Sequence, residues 1–361
     1  MKYVDEYRDK TLIKKLIAHI NVAATGNYCF MEVCGGHTAA IQRFGLPSLL
    51  PENIRLISGP GCPVCVTDNN FIDKAIAYSR MEEVIITTFG DLIRIPGSSS
   101  SLEKEKARGA DIRIVFSGLE ALETAKENRD KKIIFPGIGF ETTAPGTAVT
   151  IKEAGNSGIN NFYVLSALKV MPPAMEEVIK DGVKLNGFVC PGHVAAITGS
   201  SIFNFIPEKY NLGCVVTGFE PVDILQSIYM LINQVNNNSP DTEVQYSRAV
   251  TKEGNIIAQQ LIRDVFNLSD ERWRGFGVIP SSGLKIKEEY LKHDAEKMIP
   301  LDIKSEEDNR LCLCSDILRG LKSPPGCSLF GGICTPENPV GACMVSNEGA
   351  CNVHYKYRMN E

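Results

Sequence analysis

Cys34-Gly35-Gly36-His37 closes the short apolar run Phe30-Met31-Glu32-Val33 and opens onto Thr38. A thiol and an imidazole around two glycines make a poor core and a good tight turn. The sequence therefore predicts both side chains exposed at a strand end, ahead of a helix. Thiolate plus imidazole supports two chemistries, an activated nucleophile or a metal ligand set. Gly59-Pro60-Gly61-Cys62-Pro63-Val64-Cys65 places a C-x-x-C at a second strand-to-helix turn. There the helix dipole and unpaired amides favour thiolate, as in a dithiol redox pair. A zinc half-site has the same spacing, but no second C-x-x-C completes one.

The last fifty residues carry the largest group of thiols. Cys312, Cys327, Cys334 and Cys351 follow the spacing C-x14-C-x6-C-x16-C, with Cys314 and Cys343 nearby. Pro324-Pro325-Gly326, Gly331-Gly332 and Pro339-Val340-Gly341 supply turns that let separate thiolates converge. Four soft thiolates bind zinc or an iron–sulfur cluster. Wide spacing on Gly/Pro loops suits a [4Fe–4S] cubane better than a zinc knuckle; buried free thiols are the bland alternative. Two further turns offer polar groups after apolar strands. Gly139-Phe140-Glu141-Thr142-Thr143 is a ligand turn or a capped strand-to-helix turn, and Asp91 is a cleft acid or a helix cap. Neither turn is a P-loop or a dinucleotide fingerprint.

Composition bounds the setting. The chain has 361 residues, enough for two or three domains. Its 43% hydrophobic and 22% charged content is ordinary for a globular protein, and a net charge of −5 gives no reason to expect a nucleic-acid or membrane partner. No apolar run reaches the ~20 residues needed to cross a bilayer. The charged N-terminus is unlike a signal peptide, so the expected location is cytoplasmic. In that reducing setting, twelve cysteines point to metal ligands or redox groups rather than structural disulfides.

The elements that position these residues alternate. Apolar runs at Cys29–Val33, Ile54–Ser58, Val84–Thr88, Ile112–Phe116 and Lys132–Phe135 are separated by helix-like segments. The rhythm resumes at Phe162–Ala167, Gly187–Val189 and Cys214–Thr217. This predicts an α/β fold with doubly wound parallel sheets. Residues 3 to 25 have helical spacing, and Ser98–Ser101 opens a polar loop, a possible lid. An internal repeat accompanies the pattern: Val33–Ile41 matches Val189–Ile197 at seven of nine positions. Ile57–Cys65 aligns more loosely with Val216–Asp223, which lacks the cysteines. Two related α/β domains in a pseudo-twofold arrangement are expected, at 21–150 and 151–245. They would be flanked by an N-terminal helix (1–20) packing on a C-terminal domain (246–361).

Together, Cys34-Gly35-Gly36-His37-Thr38, the Gly59–Cys65 turn, Gly139–Thr143, Cys190-Pro191-Gly192-His193 and Gly341–Cys351 resemble the HypD family of hydrogenase maturation proteins. The resemblance runs from about residue 20 to the C-terminus. It implies a scaffold with redox chemistry, rather than a conventional turnover enzyme, for assembling the Fe(CN)2CO unit of [NiFe]-hydrogenases. Its partners would be a HypC-type small chaperone and a HypE-type cyanide carrier. It implies two pseudo-symmetric α/β domains and a [4Fe–4S] domain. Cys34 would hold iron carrying CN and CO, with His37 beside it. Cys62 and Cys65 would form the dithiol/disulfide pair, and Cys312, Cys327, Cys334 and Cys351 the cluster ligands. Asp91 and Glu348 would lie in the cleft. A rival is a stand-alone thiol–disulfide or iron–sulfur oxidoreductase; a third reading is a zinc-stabilised interaction protein.

Overall fold

A computed structural model describes residues 5–303 and 309–358. The ends of the expected 1–20 and 246–361 segments, and residues 304–308, lie outside the described residues. Eleven strands form three sheets among the described residues. They are β1 (Tyr28–Glu32), β2 (Ile54–Ser58), β3 (Val84–Thr88), β4 (Ile112–Ile114), β5 (Lys132–Gly139), β6 (Phe162–Leu168), β7 (Gly187–Pro191), β8 (Gly213–Thr217), β9 (Thr242–Val244), β10 (Phe266–Trp273) and β11 (Gly277–Ile286). One parallel sheet has the order β2-β1-β7-β8-β9 and the other β4-β3-β5-β6; β10 and β11 form an antiparallel hairpin. The expected doubly wound α/β architecture is present.

The domain boundaries differ from expectation. The first sheet draws on residues 28–58 and again on 187–244, while the second sheet is a contiguous insertion spanning residues 84–168. The two copies of the repeat therefore share one sheet. β1 pairs with β7 in parallel, with Phe30 opposite Gly187 and Glu32 opposite Val189. The order β2-β1-β7-β8 is symmetric about that pairing, so the pseudo-twofold relation runs inside the sheet and not between 21–150 and 151–245. Periodicity reveals each unit, but it does not say which units pair.

Burial on both faces explains the near-continuous apolar runs. Tyr28 and Phe30 enter one core with Ile20, Val215 and Ile228, while Met31 and Val33 enter another with Cys62, Cys65 and Val216. Helix α1 (Lys10–Ala23) packs on the helix Pro221–Asn236, not on the C-terminal region. Its stripe of Ile13, Leu16, Ile17 and Ile20 meets Ile224, Ile228 and Leu231 there. The cysteine-rich tail has no separate core. Cys314, Ile317, Cys334, Met344 and Cys351 belong to the same cluster as Met31 and Cys65. The Ser98 loop is pinned: Ser98 donates its backbone N–H to Asp73 at 2.8 Å, and Ser100 donates to Glu105 at 2.5 Å.

Candidate functional site

β1 and β7 are the neighbours at which the order of the first sheet reverses. In such sheets the crevice outside the carboxyl ends of the strands is the ligand position. β1 delivers Cys34 there in an extended conformation (φ −149°, ψ 124°), as the residue before helix α2 (Gly35–Arg43). The glycines around it are required by close packing. A Cβ on Gly35 would collide with Glu348, whose carbonyl oxygen would lie 2.7 Å away. A Cβ on Gly61 would run into the backbone of Val33 and Cys34. Gly35 N–H donates to Gly61 O at 3.0 Å, which ties the Cys34 turn to the C-x-x-C turn.

The two expected exposed side chains have opposite fates. Cys34 is half-buried, with its thiol pushed up to about 12, chiefly by burial and then by the charge of Glu348. His37 is fully buried, contrary to expectation. Its Nε2–H donates to the carbonyls of Thr217 (3.2 Å) and Gly218 (3.0 Å), and its ring stacks on Phe219 at 4.5 Å. Nδ1 is buried without a hydrogen-bond partner among the described residues. The exposed imidazole belongs to the repeat copy: His193 stacks on the other face of Phe219 at 3.8 Å. The repeat match set Phe219 against the Pro60-Gly61 turn, but a phenylalanine carries no chemistry that spacing could flag.

Burial lowers the pKa of His37 to about 4. A folded value below the unfolded ~6.5 means that the unfolded chain takes up the proton first, so stability is complete above pH ~6.5 and drains as the pH falls toward about 4. The unfolding free energy of the wild type relative to His37→Gln should fall by up to about 3 kcal/mol through that window, the comparison cancelling the opposite contribution of the buried carboxyls. A pH slope unchanged in the variant would mean that His37 is not its source.

Acidic groups ring the turn. Glu32 accepts from the Thr38 hydroxyl at 2.6 Å and the Cys34 N–H at 3.3 Å, and burial raises its carboxyl to about 8. Asp91 follows β3 and accepts from Ser346 Oγ at 3.1 Å. Glu348 is raised by partial burial and then by Asp91. Asp91 and Glu348 thus lie close to each other, and Glu348 stands against Gly35 of the Cys34 turn. Glu141 lies at the end of β5; it accepts from the Met171 N–H at 2.9 Å, and burial raises it to about 7.

Cys62 and Cys65 sit at the start of a four-residue helix (Pro63–Val66). The expected lowering of a thiol pKa is not seen at Cys65, which is fully buried and pushed well up by desolvation. One helical turn has too little dipole to offset that loss of water. Cys65 N–H donates to Cys62 Sγ at 3.3 Å.

Cys312, Cys327, Cys334 and Cys351 line one cavity together with Cys314 and Cys343. A Cβ on Gly341 would stand 2.7 Å from Cys312 Sγ and intrude on that space. Val340 N–H donates to Cys334 Sγ at 3.3 Å, the kind of contact that tunes a metal-bound sulfur. Thiols without carboxylate or imidazole in the lining fit an iron–sulfur cluster. Among the described residues, no three His, Cys, Asp or Glu groups stand as a single bound ion would need.

Cys314 and Cys343 line that cavity and also make contacts that lead out of it. Their sulfurs are 2.7 Å apart, and Cys343 also interacts with Cys65. The contacts run from Cys62 through Cys65, Cys343 and Cys314 to Cys312. Spacing singles out neither Cys314 nor Cys343 as a link, because the contacts cross between distant segments.

A switch-point cysteine backed by an unbroken row of buried thiols defines an α/β protein built around its sulfurs. The chain belongs to the HypD family: the family described as "HypD: Hydrogenase formation hypA family" matches residues 11–358. Hydrogenase maturation factor HypD2 of Bradyrhizobium diazoefficiens is 46% identical over 368 residues, covering 99% of this chain and 97% of that protein. HypD of Azotobacter vinelandii is 44% identical over 367 residues, covering 99% and 97%. HypD of Escherichia coli is 42% identical over 370 residues, covering 100% and 99%.

Proposed function

We propose that this protein is a hydrogenase maturation factor that holds iron on Cys34 while the Fe(CN)2CO unit of a [NiFe]-hydrogenase is assembled. The observation that carries the reading is the placement of Cys34, half-buried at the switch point of the first sheet and tied through the Gly35–Gly61 bond to the C-x-x-C turn. A nucleophile needs its thiolate at neutral pH, whereas a metal ion displaces the proton as it binds. Fe(II) with cyanide and carbonyl ligands is soft and favours a thiolate. A thiolate of a HypC-type small chaperone is the proposed second protein ligand, and a HypE-type partner the source of cyanide. Asp91 and Glu348 flank the cargo, and His37 holds the neighbouring strand end rather than the metal.

Cys312, Cys327, Cys334 and Cys351 are the proposed holders of a [4Fe–4S] cluster, which would supply one-electron transfer when bound. Oxidation of Cys62 and Cys65 to a disulfide would release two electrons and two protons, and Cys343, in the cavity lining beside Cys314, is the sulfur in contact with Cys65. A stand-alone oxidoreductase is disfavoured because Cys62 is 3% and Cys65 0% exposed, out of reach of an external substrate. No helix among the described residues is long and apolar enough to cross a membrane. The cytoplasm, where free thiols persist, is the proposed location. The deciding test is an infrared spectrum of the anaerobically isolated complex with the small chaperone. Cyanide and carbonyl stretches support iron holding; a featureless window rejects it.

A further inference from the structure

Phe219 lies between the two imidazoles of the repeat, His37 at 4.5 Å (17° between planes) and His193 at 3.8 Å (20°). Tyr246 meets it edge-on at 6.1 Å. Both faces of the ring are covered, so what it presents is its C–H edge. That edge points at Gly36: a Cβ built there would lie 3.0 Å from Phe219 Cε1 and 3.1 Å from Cδ1. The same point is 3.6 Å from Cys34 Sγ. The thiol and the aromatic edge are thus the two walls of one notch, and the notch exists because residue 36 has no side chain.

We propose that Phe219 is the specificity-determining wall of the Cys34 site, admitting beside the thiol only slender diatomic ligands of anionic or weakly polar character. The proposal rests on the reading of Cys34 as the iron-holding thiol. The positive edge of an aromatic ring suits an anionic end such as that of cyanide, and its hydrocarbon character gives water no hydrogen-bond partner. His37 and His193 act through the ring as positioning residues. This gives the repeat's two imidazoles one shared task, although one is buried and the other exposed.

The notch is read most directly on the metal-free full chain, as the ratio of Cys34 modification by a bulky aromatic disulfide to that by methyl methanethiosulfonate, with peptide mapping to separate Cys34 from other cysteines. The ratio is independent of how far the thiol is ionised. Phe219→Ala should raise it by about tenfold or more, a difference of about 1.4 kcal/mol in barrier, while Phe219→Tyr keeps the wild-type value. If Phe219→Ala does not fold, Phe219→Leu should give an intermediate ratio. An unchanged ratio in both Ala and Leu variants, or equal acceleration of both reagents, would overturn the proposal.

Gly36→Ala is the complementary change. It changes the second residue of α2 and its methyl would press on Phe219, so thermal unfolding is the control for folding. Its methyl fills the notch, and the cyanide and carbonyl bands of the complex should be lost. Full wild-type bands in Gly36→Ala would sink the wall. Absence of bands in the wild-type complex would instead sink the iron-holding function and leave the modification ratio to judge Phe219.

Discussion

Replacement of Cys34 by alanine should abolish the cyanide and carbonyl infrared bands of the isolated complex. This loss should be chemical rather than structural. The Cys34 side chain makes no capping hydrogen bond to α2, and the turn is fixed instead by the backbone bond of Gly35 to Gly61 and by Glu32 on the Cys34 N–H. Alanine preserves those contacts. What disappears is the sulfur that β1 carries to the crevice. Altering a group behind a metal ligand typically costs 10–100-fold in affinity, so removing the ligand itself should cost at least about a hundredfold. Cys34→Ser should fare little better, because a hydroxyl is a hard donor with a far higher pKa. The measurement is the band intensity per mole of purified complex, with thermal unfolding as the control for folding. Bands at full strength in Cys34→Ala would mean that iron is held elsewhere.

The sequence makes some of this visible and hides the rest for identifiable reasons. Strand positions are legible where central strands of the parallel sheets are buried on both faces, so Tyr28–Glu32 and Val84–Thr88 are nearly unbroken in apolar character. Cys34 is legible because its thiol stands among glycines. The pairing of β1 with β7 is not, since a parallel pair needs only a long crossover and nothing in 30–32 or 187–189 names the partner. The burial of His37 is hidden for the same reason: the carbonyls of Thr217 and Gly218 that receive its N–H lie 180 residues away. The expected exposure follows from its turn, but β8 covers it. Cys65 shows local and tertiary physics in conflict, because a helix start favours thiolate and the packed core forbids it. Phe219 is missed because its role comes from shape rather than functional-group chemistry.

The tail offers the second large effect, and it separates six cysteines into two kinds. Cys327→Ser and Cys334→Ser should each remove the visible absorption of the anaerobically reconstituted protein, since both proposed cluster ligands line the six-cysteine cavity. Cys314→Ala should keep the absorption. Its sulfur is engaged with Cys343 at 2.7 Å, and Cys343 contacts Cys65, so both are placed to connect the cavity with the C-x-x-C pair. What Cys314→Ala should lose is speed: with dithionite supplying two electrons and solvent two protons, reduction of an oxidised Cys62–Cys65 pair should slow by about tenfold or more, equivalent to about 1.4 kcal/mol in barrier. Alanine is preferred to serine here, because Cys314 is buried and a hydroxyl there without a partner would add about 1–3 kcal/mol of its own. Acid quenching at timed intervals, followed by alkylation of the two thiols in denaturant, reads the rate, and the visible spectrum reads the cluster. Bleaching in Cys314→Ala equal to that in Cys327→Ser would make Cys314 a ligand. Retained absorption with an unchanged rate would leave the row of sulfurs without a part in electron transfer. The geometry favours neither outcome: Cys65, Cys343 and Cys314 are buried and in contact in turn, and Cys314 also contacts Cys312.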